Sequence, residues 1–545
     1  MRQRDPTETV IAKAASLGSV LLPSLVAMAA ALFFCRADIH FGDDAATYVD
    51  AARSLISGLG FATSNEDATK PAVLAPIVLW PPGYPLLIAA LGTLGVDLER
   101  ASLCVGLISY VGLIALCMRI ARKWSGNKSR WATAAILALS PRLWEFSTDG
   151  YSDLLFSVLV VAAVVAAEVR SGRWRVPLLA ATVAAAAYVR YIGVFLFPAM
   201  VAIACLRNSR LTVRQALLSS VLAGLAVTPL FLRNMAVTAT VSGNRPAAGE
   251  TLLENLSDAG VGVGSLYVPS SFFRYDSPNV PAFAAGVAGL CVLGVVIWVL
   301  VRVIRGGYGD GDNRADGAVI PALALVSLTY LAVMITLRSV IYFDALSQPR
   351  MLLPLVPLLS LLCGRALVDA FSRGPIERAI GLGVLGAFIA LALGFAIRGS
   401  PLKSVYPDLD FVARSIRSHV PSGSCVAYEA PTSEGPWAAP SAWKIVRMRL
   451  PEYRAVIVPD TVVAQAGSNV AEALSRWGRS TGCRYFVSVG FRRRGAEDKE
   501  AWTFQRNAPD SRLRPSVLGV QAGYPPMFEV LFWDPRVSVL HLRTV

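Results

Sequence analysis

Residues 101–147 read ASLCVGLISYVGLIALCMRIA at 101–121, RKWSGNKSR at 122–130 and WATAAILALSPRLWEFS at 131–147. An apolar block of bilayer length is followed by a short basic hop and then by a second apolar block. About 20 apolar residues cross ~30 Å of hydrocarbon as a helix, and short loops rich in Lys and Arg stay cytoplasmic. The stretch therefore predicts two spans joined inside the cell by Arg119, Arg122, Lys123, Lys128 and Arg130. The same alternation runs along most of the chain. Apolar stretches occur at 15–35, 101–121, 131–147, 151–169, 176–189, 191–206, 215–235, 281–304, 318–337, 351–371 and 379–397, which makes eleven candidate spans. The run 176–206 is interrupted by Tyr188-Val-Arg190-Tyr191-Ile-Gly193. Reading it as one span would turn every later basic hop outward, so it is read as two spans or a re-entrant pair.

With Arg2, Arg4 and Lys13 inside, the opposite side receives a long loop at 36–100, a second at 236–280, small turns at 142–150 and 338–350, and the tail from 398. The first apolar run is longer than a signal-peptide core and no small-x-small site follows, so a cleaved leader is not expected. Composition agrees with a membrane protein. The chain has 545 residues, 54% hydrophobic and 16% charged, against about 25% charged in soluble chains. Disorder, a collagen-like fibre and a disulfide-stapled miniprotein are excluded, and one large soluble globule is disfavoured. The net charge of +14 sits mostly in the cytoplasmic hops, so no nucleic-acid partner is expected. Eight cysteines form no CxxC pair, and three histidines are too few and scattered for a histidine-based metal cage.

The tail changes character. Helix-like stretches at 408–419 and 470–478 alternate with strand-like runs at Cys425–Tyr428, Val456–Val458, Tyr485–Val489, Glu529–Trp533 and Val537–Leu540. The expected architecture is an α-helical polytopic membrane domain over 1–397, with about eleven transmembrane helices and its first outer loop at 36–100. A C-terminal extracytoplasmic α/β domain over 398–545 follows. Cys425 and Cys483 lie on the oxidising side, where a disulfide and a pair of buried thiols are the two alternatives. GVGVG at 260–264 lacks the strand and helix of a nucleotide fingerprint and reads as loop.

The first outer loop carries FGDDAATYVDAARSLISGLGF at 41–61. Asp43 and Asp44 stand where a short helix begins, and Asp44 and Tyr48 share a face of it. Asp is a favoured helix cap, so capping is one role. The other is a general base on an incoming hydroxyl or amine, in a partly desolvated cleft. A second acidic cluster, Ser140 to Asp153, places Asp153 just inside an apolar helix. A carboxylate at that depth should face a polar cavity, unless it caps or lies at the interface. Asp149 and Asp153 are four apart, so a cation or an Arg partner is expected to relieve their repulsion. Arg190 and Arg350 lie at outer ends of apolar helices, where Arg either snorkels or clamps a phosphate. Trp80-Pro-Pro-Gly-Tyr84-Pro85 followed by Leu86–Leu94 suits a segment lying along the outer leaflet and gripping a lipid. A lipid-linked phosphate substrate would suit all of these elements.

These residues, in this order, resemble the GT-C superfamily of polytopic glycosyltransferases. The matching branch contains the protein O-mannosyltransferases and lipid A aminoarabinose transferases. The resemblance is carried by Asp44-x-x-x-Tyr48 ending in Gly58-Leu-Gly60-Phe61, Trp80-Pro-Pro-Gly-Tyr84-Pro85, Ser152-Asp153, Arg190-Tyr191-x-Gly193 and Arg350-x-x-x-Pro354-x-x-Pro357. It implies inverting transfer of a sugar from a polyprenyl-phosphate donor to a glycan, lipid or protein acceptor at the outer face of the plasma (inner) membrane. Asp44 matches the first-loop acid proposed as base. Asp43 is a second candidate, because many members carry Asp-Glu where this chain has Asp-Asp. Asp153 matches the second acidic position. Arg190 and Arg350 match positions that hold the donor phosphate or shape the cavity, and Tyr48, Tyr84 and Tyr191 complete the matched substrate-binding segments. Metal use varies across the superfamily, so no cofactor is inferred and a divalent cation stays open. The rival reading is a transporter or lipid flippase, which should show repeat symmetry and helices broken near the midplane. No repeat is evident, and the charges cluster at the outer rim.

Overall fold

A computed structural model describes residues 23–29, 43–63, 74–167, 172–206, 209–241, 247–266, 319–371, 409–429, 448–458, 470–489, 528–534 and 537–542, with a few single positions besides. In chain order the elements are α1 (Asp43–Ile56), β1 (Ala62–Thr63), β2 (Ala75–Pro76), α2 (Gly83–Thr93), α3 (Leu98–Ala138), α4 (Pro141–Thr148), α5 (Asp153–Ala167) and α6 (Gly172–Val189). A 3-10 turn at Tyr191–Phe195 leads to α7 (Leu196–Ala204), α8 (Val213–Thr238), α9 (Leu252–Ser265) and α10 (Val319–Arg338). A second 3-10 turn at Pro349–Leu352 precedes α11 (Leu355–Phe371). The tail adds α12 (Leu409–His419), β3 (Cys425–Glu429), β4 (Arg454–Ile457), α13 (Val470–Thr481), β5 (Tyr485–Val489), β6 (Phe528–Asp534) and β7 (Val537–Leu542). These elements fall into two compact units. One comprises Met1–Ala37, Val78–Leu87 and Arg100–Pro401, the other Asp38–Ile77, Ile88–Glu99 and Leu402–Val545.

In the first unit, three described helical segments are long and apolar enough to cross a membrane: Leu98–Lys123, Val213–Thr238 and Pro321–Arg338. The pair α4 and α5, bent by 115°, would count as a fourth. Of the eleven expected spans, 281–304 and most of 15–35 and 379–397 lie outside the described residues. The expected span 131–147 is not continuous. It divides between the end of α3 and α4, because Ser140 is extended and Pro141 opens the next helix. The basic hop 122–130 is a kink in α3 at Gly126, whose φ of 75° suits glycine alone.

The expected break in 176–206 falls at Arg190, whose backbone is extended (φ −147°) before the 3-10 turn. There the chain folds back so closely that a Cβ on Gly193 would sit 2.5 Å from the backbone of Ala186 and Ala187. Helix α8 starts with a capping box, in which Thr212 and Gln215 satisfy each other's backbone N–H groups. The core of this unit joins α5, α6, α7, α10 and α11, with Phe156, Phe195 and Tyr330 in mutual ring contact at its centre. The loop expected at 260–264 is instead the last part of α9. Thr251 and Glu254 form a second capping box that nucleates the helix, and the bare Cα of Gly262 admits the Leu346 carbonyl.

In the second unit, a five-stranded sheet runs in the order β4-β3-β5-β7-β6. β3 pairs in parallel with β4 and β5, and β7 pairs antiparallel with β5 and β6. The strands coincide with the five strand-like runs of the tail, and α12 and α13 with its two helix-like stretches. Cys425 and Cys483 are joined by a disulfide inside a small core with Ala427, Val456, Leu474 and Phe486. The bond closes a loop with a sequence separation of 58. Chain-entropy arguments give a loop of that length about 4 kcal/mol of stabilisation. Reducing the bond, or Cys425→Ala, should therefore lower the denaturant midpoint at which β3 and β5 amides lose exchange protection. An unchanged midpoint would show that the disulfide does not form.

Candidate active site

In the membrane unit the sequence-predicted residues converge on three turns: 149–152 between α4 and α5, the break at 190–195, and 344–352. Asp153 is the first residue of α5. It is buried at the turn between α4, whose residues are all buried, and the apolar α5. Its Oδ1 accepts a hydrogen bond from Arg190 Nη1. The Asp153 side chain is 3% exposed and that of Arg190 22%, so the pair sits at a boundary between the packed interior and an accessible space. An arginine therefore does stand beside this carboxylate. The expectation that Asp149 and Asp153 share a helix face does not hold. The 115° bend separates them, because Gly150 takes a φ of 72° and ends the α4 direction.

Arg350, in the third turn, pairs with Asp344 and lays its guanidinium 5.3 Å from the centre of the Tyr151 ring. Its neighbour Met351 places Sδ 4.0 Å from Arg190 Nη2. Asp153, Arg190, Tyr151 and the 350–351 step thus form one cluster. Its wall is stiffened by Tyr330, whose hydroxyl donates to the Met351 carbonyl.

The two matched tyrosines of this unit serve the framework. Tyr84 is fully buried, with its hydroxyl 3.2 Å from Ser102 Oγ, and that hydroxyl in turn lies 3.5 Å from the Gly150 carbonyl. Burial pushes the Tyr84 phenol above its ordinary range, against the opposing pull of the Ser102 bond, so it stays a neutral donor. Tyr191 donates to the Val78 carbonyl at 2.9 Å and accepts from Asn234 Nδ2 at 2.9 Å. Arg245 Nη2 holds the neighbouring Leu79 carbonyl at 3.0 Å. The stretch before the Pro-Pro step is therefore fastened by Tyr191 of the 3-10 turn, itself held by Asn234 of α8, and by Arg245 in the loop after α8.

A second buried pair lies on α4. Arg142 Nη1 bonds Glu145 Oε2 at 2.7 Å and Arg142 Nε bonds the Ser265 carbonyl at 3.1 Å. Trp144, on the same helix, donates its indole N–H to the Ala138 carbonyl at 2.8 Å and so ties α4 back to the end of α3. Asp344, Tyr330, Met351 and Asn234 lie outside the residues that the sequence singles out. Only the spacing of Asp344 and Arg350 before an apolar helix offers a signal for any of them.

In the second unit, Asp43 opens α1 and Asp44 follows it, half-buried, with Tyr48 buried one turn on. Farther along the helix, Asp50 accepts from Thr63 Oγ1 at 2.8 Å and from Arg53 Nη1 at 3.3 Å. α1 is thereby tied to β1 directly behind it. Among the described residues no group of three or more His, Cys, Asp or Glu side chains is arranged to hold a metal ion.

No family model and no curated protein matches the sequence. Solved structures do share its fold. ArnT from Cupriavidus metallidurans bound to undecaprenyl phosphate aligns with a TM-score of 0.54 at 13% identity, over 96% of this chain and 98% of that one. The archaeal oligosaccharyltransferase AglB from Archaeoglobus fulgidus, in complex with an inhibitory peptide and a dolichol-phosphate, gives 0.53 at 12% identity, over 87% of this chain and 69% of that one. Both are GT-C glycosyltransferases, and the fold of this chain is theirs.

Proposed function

We propose that the chain is an integral-membrane glycosyltransferase. It moves a sugar from a polyprenyl-phosphate-linked donor to an extracytoplasmic acceptor, with inversion at the anomeric carbon. The observation that carries the reading is the Asp153–Arg190 pair, a buried carboxylate and a partly accessible guanidinium at the broken helix ends of a GT-C fold. The relatives of that fold bind undecaprenyl phosphate and dolichol-phosphate, which supports a lipid phosphate as donor.

In this reading Asp44, with Asp43 as the alternative, takes the proton from the acceptor hydroxyl. The acceptor oxygen attacks the anomeric carbon as the bond to phosphate breaks, and the polyprenyl phosphate leaves with the electron pair. Arg190 and Arg350 steady the charge that collects on that phosphate, for which the planar guanidinium is suited. Residues 1–397 form the transferase domain and 398–545 the appended extracytoplasmic domain. The Cys425–Cys483 disulfide supports a tail on the oxidising side, with the N-terminus cytoplasmic.

The test is transfer from a panel of labelled polyprenyl-phosphate sugars in membranes containing the protein, with empty membranes as control. Label reaching product establishes the class and names the donor. No transfer from any donor across a full set of glycan, lipid and peptide acceptors, with the protein folded, would move the assignment to the transporter or flippase alternative.

A further inference from the structure

The tail and the first-loop helix belong to one compact unit, and a specific bond joins them. Arg53, in the last turn of α1, forks between two partners. Its Nη1 reaches Asp50 Oδ1 at 3.3 Å, and its Nη2 donates to the Met448 carbonyl at 3.1 Å, 395 residues away. Met448 is buried and begins a short segment, 448–453, that the tail holds firmly. Arg417 of α12 bonds the Arg449 carbonyl at 2.6 Å and Glu452 Oε1 at 2.7 Å. The Tyr453 hydroxyl donates to the Val420 carbonyl at 2.9 Å. The Gly423 N–H donates to the Glu452 carbonyl at 3.0 Å, immediately before the segment enters the sheet as β4. In the same turn of α1, Ile56 lies against the bare Cα of Gly92.

The geometry of α1 gives this grip its meaning. Arg53 follows Asp44 by nine residues. At about 100° and 1.5 Å per residue, that places the two on opposite faces and about 14 Å apart along the axis. The C-terminal turn is anchored to the tail, while Asp43 and Asp44 stand in the N-terminal turn.

We infer that Arg53 is a positioning residue through which the 448–453 segment of the tail orients the helix carrying the candidate base. This inference rests on the transferase reading for its catalytic meaning, but its mechanical content does not. The tail then acts on the transfer reaction itself, not as a detached binding module. A small rotation of α1 about its anchored end would displace a base at its far end, and displacements near 1 Å cost on the order of 10²-fold in rate.

The experiment compares the full-length wild type, Arg53→Ala and Arg53→Lys in lipid nanodiscs. It reads amide exchange of 43–56 and, where transfer is detectable, kcat and KM for the donor. Arg53→Ala should speed exchange in α1 by about 10-fold and lower kcat by a similar factor, with donor KM within about two-fold. Arg53→Lys keeps one donor for the Met448 carbonyl and should recover much of both. Reducing the disulfide until β3 and β5 lose protection should loosen α1 in the wild type and loosen it less in Arg53→Ala, because the Arg53 link is already cut. Unchanged α1 exchange in Arg53→Ala, or reduction that frees the sheet and leaves wild-type α1 protected, overturns the coupling. Exchange reports on α1 whatever the chain transfers. A coupled helix in a protein without transferase activity would sink the functional reading alone, and an uncoupled helix in an active enzyme would sink this inference alone.

Discussion

Asp44→Asn is expected to abolish detectable transfer while leaving yield and exchange protection of α1 near wild type. The substitution removes the proton acceptor and keeps the shape. Base catalysis contributes about 10²–10⁴-fold, so the residual rate should fall by at least about 100-fold. The helix should survive, because Asn is as good as Asp at a helix start. Asp44 is half-buried in the second residue of α1, whereas Tyr48, one turn on, is buried. The companion variant Asp43→Asn decides between the two carboxylates. A large loss in Asp44→Asn with a small one in Asp43→Asn assigns the base to Asp44, and the reverse assigns it to Asp43. Full activity in both variants would remove the first-loop acids from the mechanism. The loss should appear in kcat for every competent donor, since a base acts on the acceptor proton and not on lipid binding.

Much of this is legible in the sequence because it depends on local pattern. The helix at Asp43–Ile56 follows from paired acids ahead of an alanine-rich run. The break at Arg190 follows from a charge and Gly193 interrupting an apolar stretch. The tail strands follow from short β-branched and aromatic runs between turn residues. The bend within 131–167 is not legible in the same way. Hydropathy averages over a window, whereas one extended residue at Ser140 and one left-handed Gly150 redirect the chain. Helix α9 escapes a reading by pattern because three glycines outweigh the Thr251–Glu254 capping box that starts it. The partners of the site residues lie beyond any local pattern. Asp153 meets Arg190 across 37 positions, and Arg53 meets Met448 across 395. Tyr84 and Tyr191 match substrate-binding segments, yet their hydroxyls are engaged by Ser102, Val78 and Asn234 through the tertiary fold.

Separating Asp153 from Arg190 should give a large stability effect in the membrane unit. The carboxylate is almost wholly enclosed and its partner only partly so. Removing one member of a buried pair leaves an uncompensated charge and typically costs about 3–5 kcal/mol. Arg190→Gln and Asp153→Asn should each lower the thermal midpoint of the protein in nanodiscs markedly. The double variant replaces both charges with amides that can still bond to each other. It should be more stable than the sum of the single losses predicts, by about 2 kcal/mol of coupling. Strictly additive losses would show that the two side chains do not interact in the folded protein. Activity then separates structure from chemistry. A stable double variant that transfers normally would confine the pair to holding α5 against the Tyr191–Phe195 turn. A stable double variant with raised donor KM and depressed kcat would place Arg190 on the donor phosphate, with Asp153 as the group that aims it.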